Sequence, residues 1–303
     1  MKRADRRRVD GVLLLDKPSG LSSNAALQRA RRLYSAAKAG HTGTLDPLAT
    51  GLLPLAFGEA TKFAHALLDA PKRYEAVVRF GAATDTGDAE GAVTRTLPVA
   101  VDRAGLEAIL AGFVGPRMQT PPRHAALKHR GRAYYDWARA GVEIPRPARA
   151  IEIHALALLD WRPPDAVVDV RCSKGTYVRV LAEELGEAAG TCAHLAALRR
   201  TATGGFGIDD AVTLEALEAM DADARQACLR PVDVLVAGMP RVELASDDVE
   251  RFRHGVAVPV AGSASGRCVV FGTGELLGLA DVDAGVARPA RLLAEPGKVP
   301  VSS

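Results

Sequence analysis

The sequence predicts an α+β fold with a mixed, largely antiparallel central sheet, flanked by helices and loops, and followed by a small C-terminal β unit. Apolar runs with strand spacing recur along the chain, and segments with helical spacing lie between some of them. The two kinds of segment do not alternate with the regular spacing of a doubly wound fold. At 303 residues, the chain is long enough for about two domains. We expect a boundary near residue 235, which gives domains at 1–235 and 236–303.

Strands are predicted where apolar residues alternate with polar ones or run continuously between turn residues. The first of these runs ends in Lys-Pro-Ser-Gly, and the second is followed by a turn rich in Asp, Thr and Gly at residues 81–91. The predicted strands are, in chain order, residues 12–20, 74–80, 151–161, 166–172, 195–203, 268–271 and 276–280.

Helices are predicted from apolar residues at helical spacing and from capping residues. Ser23 or Asn24 can cap the first helix, Gly186 can end the one that begins near Thr176, and Ser246 can cap the last. Residues 231–240, bounded by two prolines, are expected to form a linker. The predicted helices are residues 23–33, 61–68, 106–113, 134–139, 176–185, 213–219 and 246–252.

The composition excludes several classes of protein. Hydrophobic residues make up 48% of the chain and charged residues 25%, as in soluble globular proteins. No apolar run approaches the ~18 residues of a membrane span, and the basic start lacks the apolar segment of a secretory signal. We therefore expect a cytoplasmic protein that does not contact a membrane. The four cysteines lie far apart, so they predict buried thiols and neither a zinc site nor a redox motif.

The basic residues are clustered although the net charge is only +3. Such clusters can follow the phosphates of a nucleic acid, but they are also common on solvated surfaces. The local clusters are residues 6–8, 29–32, 72–73, 130–132 and 199–200.

One carboxylate stands out in a dense block at residues 41–51. Asp46 is the only acidic residue between Asp16 and Glu59. Pro47 disfavours helical backbone at Asp46, and the glycines of the block permit tight turns. A lone carboxylate on stiff backbone suits a nucleophile or a general base, although Asp-Pro is also a common start of a turn.

Extended to residues 41–62, this block resembles the signature of the TruB family of tRNA pseudouridine synthases, in which its aspartate is catalytic. The resemblance spans about residues 12–219. It departs from the family pattern at Ser22-Ser23, where a threonine is usual, and at His124-Ala125-Ala126, where Tyr-Ser-Ala is usual. Further blocks that resemble the family lie at residues 14–20, 72–74, 84–88, 119–122, 128–139, 172–179 and 198–200.

The resemblance implies a pseudouridine synthase fold with a PUA-like C-terminal β domain that binds RNA. It also implies an RNA-gripping insertion at about residues 117–150 within the catalytic domain. The implied catalytic residues are Asp46, Tyr74 and Arg179. The implied substrate-binding residues are His41, Tyr177, Leu198, Lys17 and Asp88.

These implied roles compete with simpler interpretations of the same residues. Arg179 would pair with Asp46, orient it and keep it ionised, yet an arginine at a helix start is often a solvated charge. Tyr74 would stack on the base or shuttle a proton, yet an aromatic at a strand start often packs in a core. Leu198 would line the base pocket together with Tyr177, although a leucine there also suits a core.

Two further residues carry the same ambiguity. His41 would stack on the RNA loop or wedge into it, and it could equally be a hydrogen-bonded loop histidine. Asp88 would lie near the pocket, although an aspartate in a turn needs no other explanation.

Conversion of uridine to pseudouridine is an isomerisation, which needs no redox change or energy input. No cofactor or metal is therefore expected. Asp46 could attack the sugar, add to the pyrimidine or abstract a sugar proton, and the sequence leaves these three routes open. The target uridine must be flipped out of its RNA fold. The resemblance implies that this target is the invariant uridine of the tRNA T loop.

Other functions fit the sequence less well than this one. A non-catalytic RNA-binding or RNA-folding module of the same shape would have no need of Asp46, Tyr74 and Arg179 together. A glycoside hydrolase usually needs a second carboxylate, and no matching block supplies one. Guide-RNA-dependent relatives differ after Asp-Pro, whereas residues 48–54 resemble the bacterial, stand-alone type. We therefore expect a monomer that acts on tRNA without a guide RNA or a protein partner.

Overall fold

The computed structural model describes residues 6–294, so predictions for residues 1–5 and 295–303, including the end of the predicted C-terminal domain, lie outside the described residues. The strands are β1 (Gly11–Lys17), β2 (Ala39–His41), β3 (Thr50–Phe57), β4 (Lys72–Phe80), β5 (Ala82–Thr84), β6 (Val93–Thr96), β7 (Gly115–Gln119), β8 (Lys128–His129), β9 (Arg132–Ala133), β10 (Arg149–Arg162), β11 (Asp165–Cys172), β12 (Ala193–Thr203), β13 (Phe206–Gly207), β14 (Val212–Thr213), β15 (Arg241–Leu244), β16 (Val258–Pro259), β17 (Gly266–Gly272), β18 (Glu275–Asp283) and β19 (Val286–Leu292).

The helices lie mostly between strands of the larger sheet. They are α1 (Ser23–Leu33), α2 (Ala64–Asp69), α3 (Arg103–Ala111), α4 (Tyr134–Arg139), α5 (Val178–Ala188), α6 (Leu214–Ala219), α7 (Ala222–Ala227) and α8 (Ser246–Arg253). Short 3-10 helices span Gly58–Lys62, Ile208–Asp210 and Val232–Leu235.

The larger sheet has ten strands in the order β14-β1-β3-β12-β4-β11-β10-β7, with β2 paired to β3 and β13 paired to β12. The β1–β14 and β12–β3 pairs are parallel, and the remaining pairs of this sheet are antiparallel. The predicted mixed, largely antiparallel sheet is therefore confirmed. Strands β3, β12 and β4 are its centre, and the loop that carries Asp46 enters β3 there.

Strand β3 was missed by the sequence analysis. Its sequence contains Gly51 and Pro54, and proline within an apolar run argues against a central strand. Pairing with β1 on one side and with β2 and β12 on the other holds it in place. The carbonyl of Pro54 accepts the N–H of Thr42 at 3.1 Å, so the strand keeps a hydrogen bond at the proline.

Side chains from β1 and β3 contribute to two apolar cores. Leu13 and Leu53 belong to the core that packs against α1, α3 and α5. Val12 and Leu52 belong to a second core. Because successive strand residues point to opposite faces, the same two strands supply both.

The second core is shared with the C-terminal part of the chain, which forms a five-stranded sheet in the order β15-β17-β18-β19-β16. Phe271 of that sheet and Leu235 of the predicted linker pack against Leu14 and Phe63. The Nζ of Lys62 also donates to the carbonyl of Leu292 at 2.8 Å. Part of the predicted linker is thus a 3-10 helix that buries Leu235, while the domain boundary near residue 235 stays a prediction.

Several helix ends differ from their predictions. Ser22, not Ser23 or Asn24, caps α1 by accepting the N–H of Ala25 at 3.1 Å. Ser246 is the first residue of α8, whose capping position is Ala245. The segment predicted as one helix at 61–68 is a 3-10 helix followed by α2. No helix among residues 6–294 is both long and apolar enough to cross a membrane.

Gly186 lies inside α5 instead of ending it, which corrects the sequence prediction. The helix continues to Ala188. A Cβ at residue 186 would lie 2.4 Å from the backbone nitrogen of Ala193 on β12. The glycine is therefore explained by close helix–strand packing, which the chain sequence alone does not display.

We expect Gly186→Ala to lower the free energy of unfolding by about 1–3 kcal/mol, because the added methyl group meets backbone that must shift. Urea unfolding monitored by circular dichroism measures the change. Gly205→Ala is the matched control, since a Cβ there meets nothing within 4 Å. Equal stabilities of the two variants would contradict the packing argument.

Candidate active site

The Asp46 loop is fixed to the start of α1. Ser23 accepts the N–H of Leu45 at 2.7 Å and donates its hydroxyl to the carbonyl of Leu45 at 2.8 Å. The carbonyl of Asp46 accepts the N–H of Ala49 at 3.1 Å, which closes a turn directly after the aspartate. The backbone on both sides of Asp46 is therefore held by hydrogen bonds.

Lys17 holds the same loop from inside the protein and does not line the cleft beside Asp46. Its side chain is 0% exposed. The Nζ donates to the carbonyls of Pro18 at 2.8 Å, Leu21 at 2.7 Å and Pro47 at 3.4 Å. Three acceptors occupy its three donors, so the geometry favours a supporting role, and substrate binding by Lys17 stays a prediction. Its place in the structure is to fix the residue after Asp46.

Burial lowers the pKa of Lys17 from 10.5 to about 8, although the nearby Asp46 carboxylate opposes this change. Between these values the unfolded chain binds more protons than the folded one, so this lysine makes unfolding more costly as pH rises. From pH 8 to pH 10 we expect the wild-type protein to gain about 2 kcal/mol of stability relative to Lys17→Met.

Urea unfolding of both proteins at the two pH values measures that gain. Lys38→Met, which removes an exposed lysine, controls for the loss of a charge. Parallel pH dependences of wild type and Lys17→Met would show that the buried amine is not perturbed.

Arg179 makes an ion pair with Asp46 at the start of α5. Its side chain is 5% exposed, and its Nη2 lies 3.0 Å from Oδ2 of Asp46. The same guanidinium donates to the carbonyls of His124 at 2.8 Å and Thr86 at 3.2 Å. Its Nη1 lies 3.5 Å from Oδ2 of Asp88. These contacts fix the guanidinium from three segments of chain.

Two opposing effects act on the pKa of the Asp46 carboxylate. Burial raises its pKa, and the Arg179 guanidinium opposes that rise by favouring the ionised form. Its side chain remains 39% exposed, so the carboxylate is accessible from the cleft.

Asp88 lies behind Arg179 and is almost fully buried. Its Oδ1 accepts the hydroxyl of Thr86 at 2.6 Å and the N–H of Glu90 at 3.1 Å. Because protein donors occupy its oxygens, the geometry favours a role in holding Arg179. The predicted direct contact of Asp88 with substrate stays a prediction.

A cleft of about 400 Å³ opens beside the Asp46–Arg179 pair. It brings together residues that are far apart in sequence and that the sequence analysis placed in one site. Five of the predicted residues line it: Asp46, Tyr74, Tyr177, Arg179 and Leu198.

The aromatic walls of this cleft are held firmly. Tyr74, on β4, is buried, and that burial raises the pKa of its phenol, so the group is neutral near pH 7. The backbone of Tyr177 is clamped by the Gln119 side chain, which accepts its N–H at 2.8 Å and donates to its carbonyl at 3.2 Å. Together with Leu198, these residues offer flat and apolar contacts for a planar ring.

A second, wider cleft of about 680 Å³ adjoins the first at Asp46 and Arg179. His41 lies there with two residues of the insertion, Tyr135 and Arg139. Burial lowers the pKa of His41, so its ring is neutral near pH 7. Within residues 6–294, no polar atom bonds its buried Nδ1. Its position suits contact with a ligand too large for the first cleft.

Sequence reasoning did not find the contacts that Ser23, Gln119 and Arg200 make in the site. Ser23 was predicted as a helix cap, and Gln119 and Arg200 appeared only within longer blocks. Their roles depend on contacts between distant segments, such as the one between Arg200 and the carbonyl of Leu52. In the described part of the chain, no three His, Cys, Asp or Glu side chains are grouped to hold a metal ion.

Family models match most of the chain. Residues 31–178 match the TruB family pseudouridylate synthase (N terminal domain). Residues 179–237 match the tRNA pseudouridylate synthase B C-terminal domain, and residues 240–293 match the model described as Pseudouridine synthase II TruB, C-terminal.

Whole-chain relatives agree with these matches. A tRNA pseudouridine synthase B from Thiobacillus denitrificans is 56% identical over 290 residues, which cover 95% of this chain and 97% of the relative. One from Chromobacterium violaceum is 56% identical over 256 residues, with 84% of each chain covered.

Solved structures show the same fold. A Cbf5-Nop10-Gar1 complex matches with a TM-score of 0.70 and 27% identity, covering 89% of this chain and 78% of the other. An archaeal box H/ACA sRNP Nop10-Cbf5 complex matches with a TM-score of 0.71 and 23% identity, covering 93% and 85%. The second likeness bears on the fold alone. From these matches and the cleft around Asp46, the chain belongs to the TruB family of pseudouridine synthases and has their fold.

Proposed function

We propose that this chain is an isomerase that converts uridine to pseudouridine in tRNA. Its relatives named tRNA pseudouridine synthase B, at 51–56% identity over most of the chain, support this function. The observation that carries it is the Asp46 carboxylate, paired with Arg179 at 3.0 Å, at the edge of a cleft lined by Tyr74 and Leu198.

The reaction breaks the bond between the sugar and N1 of uracil, turns the base and joins C5 to the same sugar carbon. Asp46 can attack the sugar, add to the pyrimidine or remove a sugar proton, and its partly exposed carboxylate suits all three routes. Arg179 orients that carboxylate. Tyr74 would stack on the base or relay the proton that leaves C5.

The two clefts suggest how the RNA binds. A uracil ring fits the smaller cleft only after it has left its stack, which costs a few kcal/mol that new contacts must offset. The wider cleft, with His41, Tyr135 and Arg139, would take the neighbouring nucleotides through stacking and charge. We propose the T loop of tRNA as that RNA and the uridine at its position 55 as the target.

The finer parts of the function are also proposals. The likeness to bacterial relatives over nearly their whole length favours action without a guide RNA or protein partner. We also propose that the protein is a monomer and that it is located in the cytoplasm. The alternative, a non-catalytic RNA-binding module, receives no support from the relatives and leaves the grouping of Asp46, Tyr74 and Arg179 unexplained.

The experiment that tests the proposal treats an unmodified tRNA transcript with the purified protein and maps pseudouridine by mass spectrometry. We expect one pseudouridine, at position 55, without added guide RNA, and the same result with a T-arm stem-loop. A transcript with cytidine at that position is the control. Absence of product, or product at other positions only, would contradict the proposed function.

A further inference from the structure

Arg200 is a buried cation that no role described above explains. It has the largest of the fully buried side chains and is 1% exposed. It lies on β12 and contributes to the wall of the smaller cleft. No carboxylate of residues 6–294 forms an ion pair with it. A charge buried without an ion partner is costly, so its retention needs a reason.

The guanidinium of Arg200 joins the two ends of the Asp46 loop. Its Nε donates to the carbonyl of Leu52 at 2.7 Å, and its Nη2 donates to the carbonyl of Gly43 at 3.2 Å. Gly43 precedes Asp46 by three residues and Leu52 follows it by six. One planar group thus ties the chain before the carboxylate to the chain after it.

The backbone of Arg200 links the same loop to Tyr74. Its Cα pairs with Gly51 in the parallel β12–β3 ladder and with Tyr74 in the antiparallel β12–β4 ladder. The approach to β3 is very close, because a Cβ at Gly51 would lie 2.3 Å from the carbonyl oxygen of Arg200. The Arg200 guanidinium also opposes the rise that burial causes in the pKa of the Tyr74 phenol.

We propose that Arg200 is a positioning residue that holds Asp46 and Tyr74 at a fixed separation across the cleft. Its side chain bonds both ends of the Asp46 loop, and its backbone pairs with that of Tyr74. This inference rests on the proposed function, because both groups act on the same uridine. A shift of the carboxylate by about 1 Å can cost about 100-fold in rate.

The required chemistry is specific to arginine. A guanidinium presents donors in several fixed directions, which lets it bind the carbonyls of Leu52 and Gly43 together. Lysine keeps the charge but concentrates it at one atom, so Arg200→Lys should not span the loop. Arg200→Met fills similar space and removes the donors altogether.

The neighbouring Arg199 supplies the matched control. It lies one residue earlier on β12 and makes a two-point ion pair with Asp16, at 3.1 and 2.7 Å. Its side chain is 41% exposed, and it does not line either cleft. Arg199→Lys and Arg199→Met therefore repeat the same chemical changes outside the proposed network.

The test compares single-turnover rates of pseudouridine formation on an unmodified T-arm stem-loop, together with RNA affinity and melting temperature. We expect both Arg200 variants to lose at least about 100-fold in rate while their RNA Kd stays within threefold of wild type. Both Arg199 variants should keep rates within threefold. Millimolar guanidinium chloride should restore part of the rate in Arg200→Ala, an effect that a purely structural loss would not produce.

Three outcomes would count against the inference. A rate within threefold of wild type in either Arg200→Lys or Arg200→Met would be enough to overturn the inference. If every Arg200 variant is unfolded at the assay temperature and guanidinium does not restore the rate, Arg200 stabilises the fold and does not position the two groups. A wild-type protein that forms no pseudouridine would overturn the proposed function first, and this inference with it.

Discussion

Asp46→Ala is expected to abolish pseudouridine formation, with at least about a 1,000-fold loss of rate, while tRNA affinity stays within about tenfold, ~1.4 kcal/mol. The carboxylate is the one group that all three chemical routes require. The RNA contacts proposed for the wider cleft depend on His41, Tyr135 and Arg139, which the substitution leaves in place. Single-turnover assays and filter binding separate rate from affinity.

Asp46→Asn sharpens the experiment because it keeps the size of the side chain and removes only its charge. The matched control is Asp165→Asn. Asp165 also pairs with an arginine, Arg79, at 2.7 Å, but on the outer surface of β4 and β11. We expect the control to keep wild-type activity. Turnover near the wild-type rate in either Asp46 variant would remove the residue from the proposed role.

Arg179→Lys should produce the second largest loss, at least about 100-fold in rate, because one ammonium cannot replace a guanidinium that binds four groups. Removing the charge is expected to cost stability as well. Arg179→Met leaves the buried carboxylate of Asp88 without its cation, and breaking a buried pair in this way typically costs about 3–5 kcal/mol. Thermal and urea unfolding measure this loss alongside activity.

The exposed Arg79–Asp165 pair again supplies the control. Its two hydrogen bonds, at 2.7 and 2.8 Å, are as short as those of the site, but both side chains contact solvent. Exposed pairs typically contribute about 0–1 kcal/mol, so Arg79→Lys should change neither activity nor stability greatly. Equal effects at Arg79 and Arg179 would show that burial does not distinguish the two pairs.

The groups proposed to act directly were found from the sequence. Asp46 is conspicuous because it is isolated among glycines, threonines and a proline, and the resemblance supplied Tyr74 and Arg179. The structure places all three in one cleft, while their catalytic roles stay predictions until assayed. The overall sheet was likewise predictable from strand spacing.

The supports of these groups were not predictable, because their partners are distant in sequence. Lys17 matched the family block, but its contact with the carbonyl of Pro47, 30 residues away, which ties it to the Asp46 loop, exists only in the folded chain. Gly186 resembles a helix end until β12 is packed against it. Strand β3 was hidden by Pro54, which lies between the residues of β3 that pair with β2 and those that pair with β12, so its missing donor leaves no ladder hydrogen bond unmade there.

The apolar core shared by Leu14, Phe63, Leu235 and Phe271 has a consequence for how the molecule comes apart. Removing the C-terminal sheet would expose the apolar side chains that β1 and β3 contribute to this core. Neither half then has a complete interior by itself. Scanning calorimetry should therefore record a single heat-absorption peak for the intact chain, and truncation after residue 235 should yield an aggregating fragment instead of a smaller enzyme.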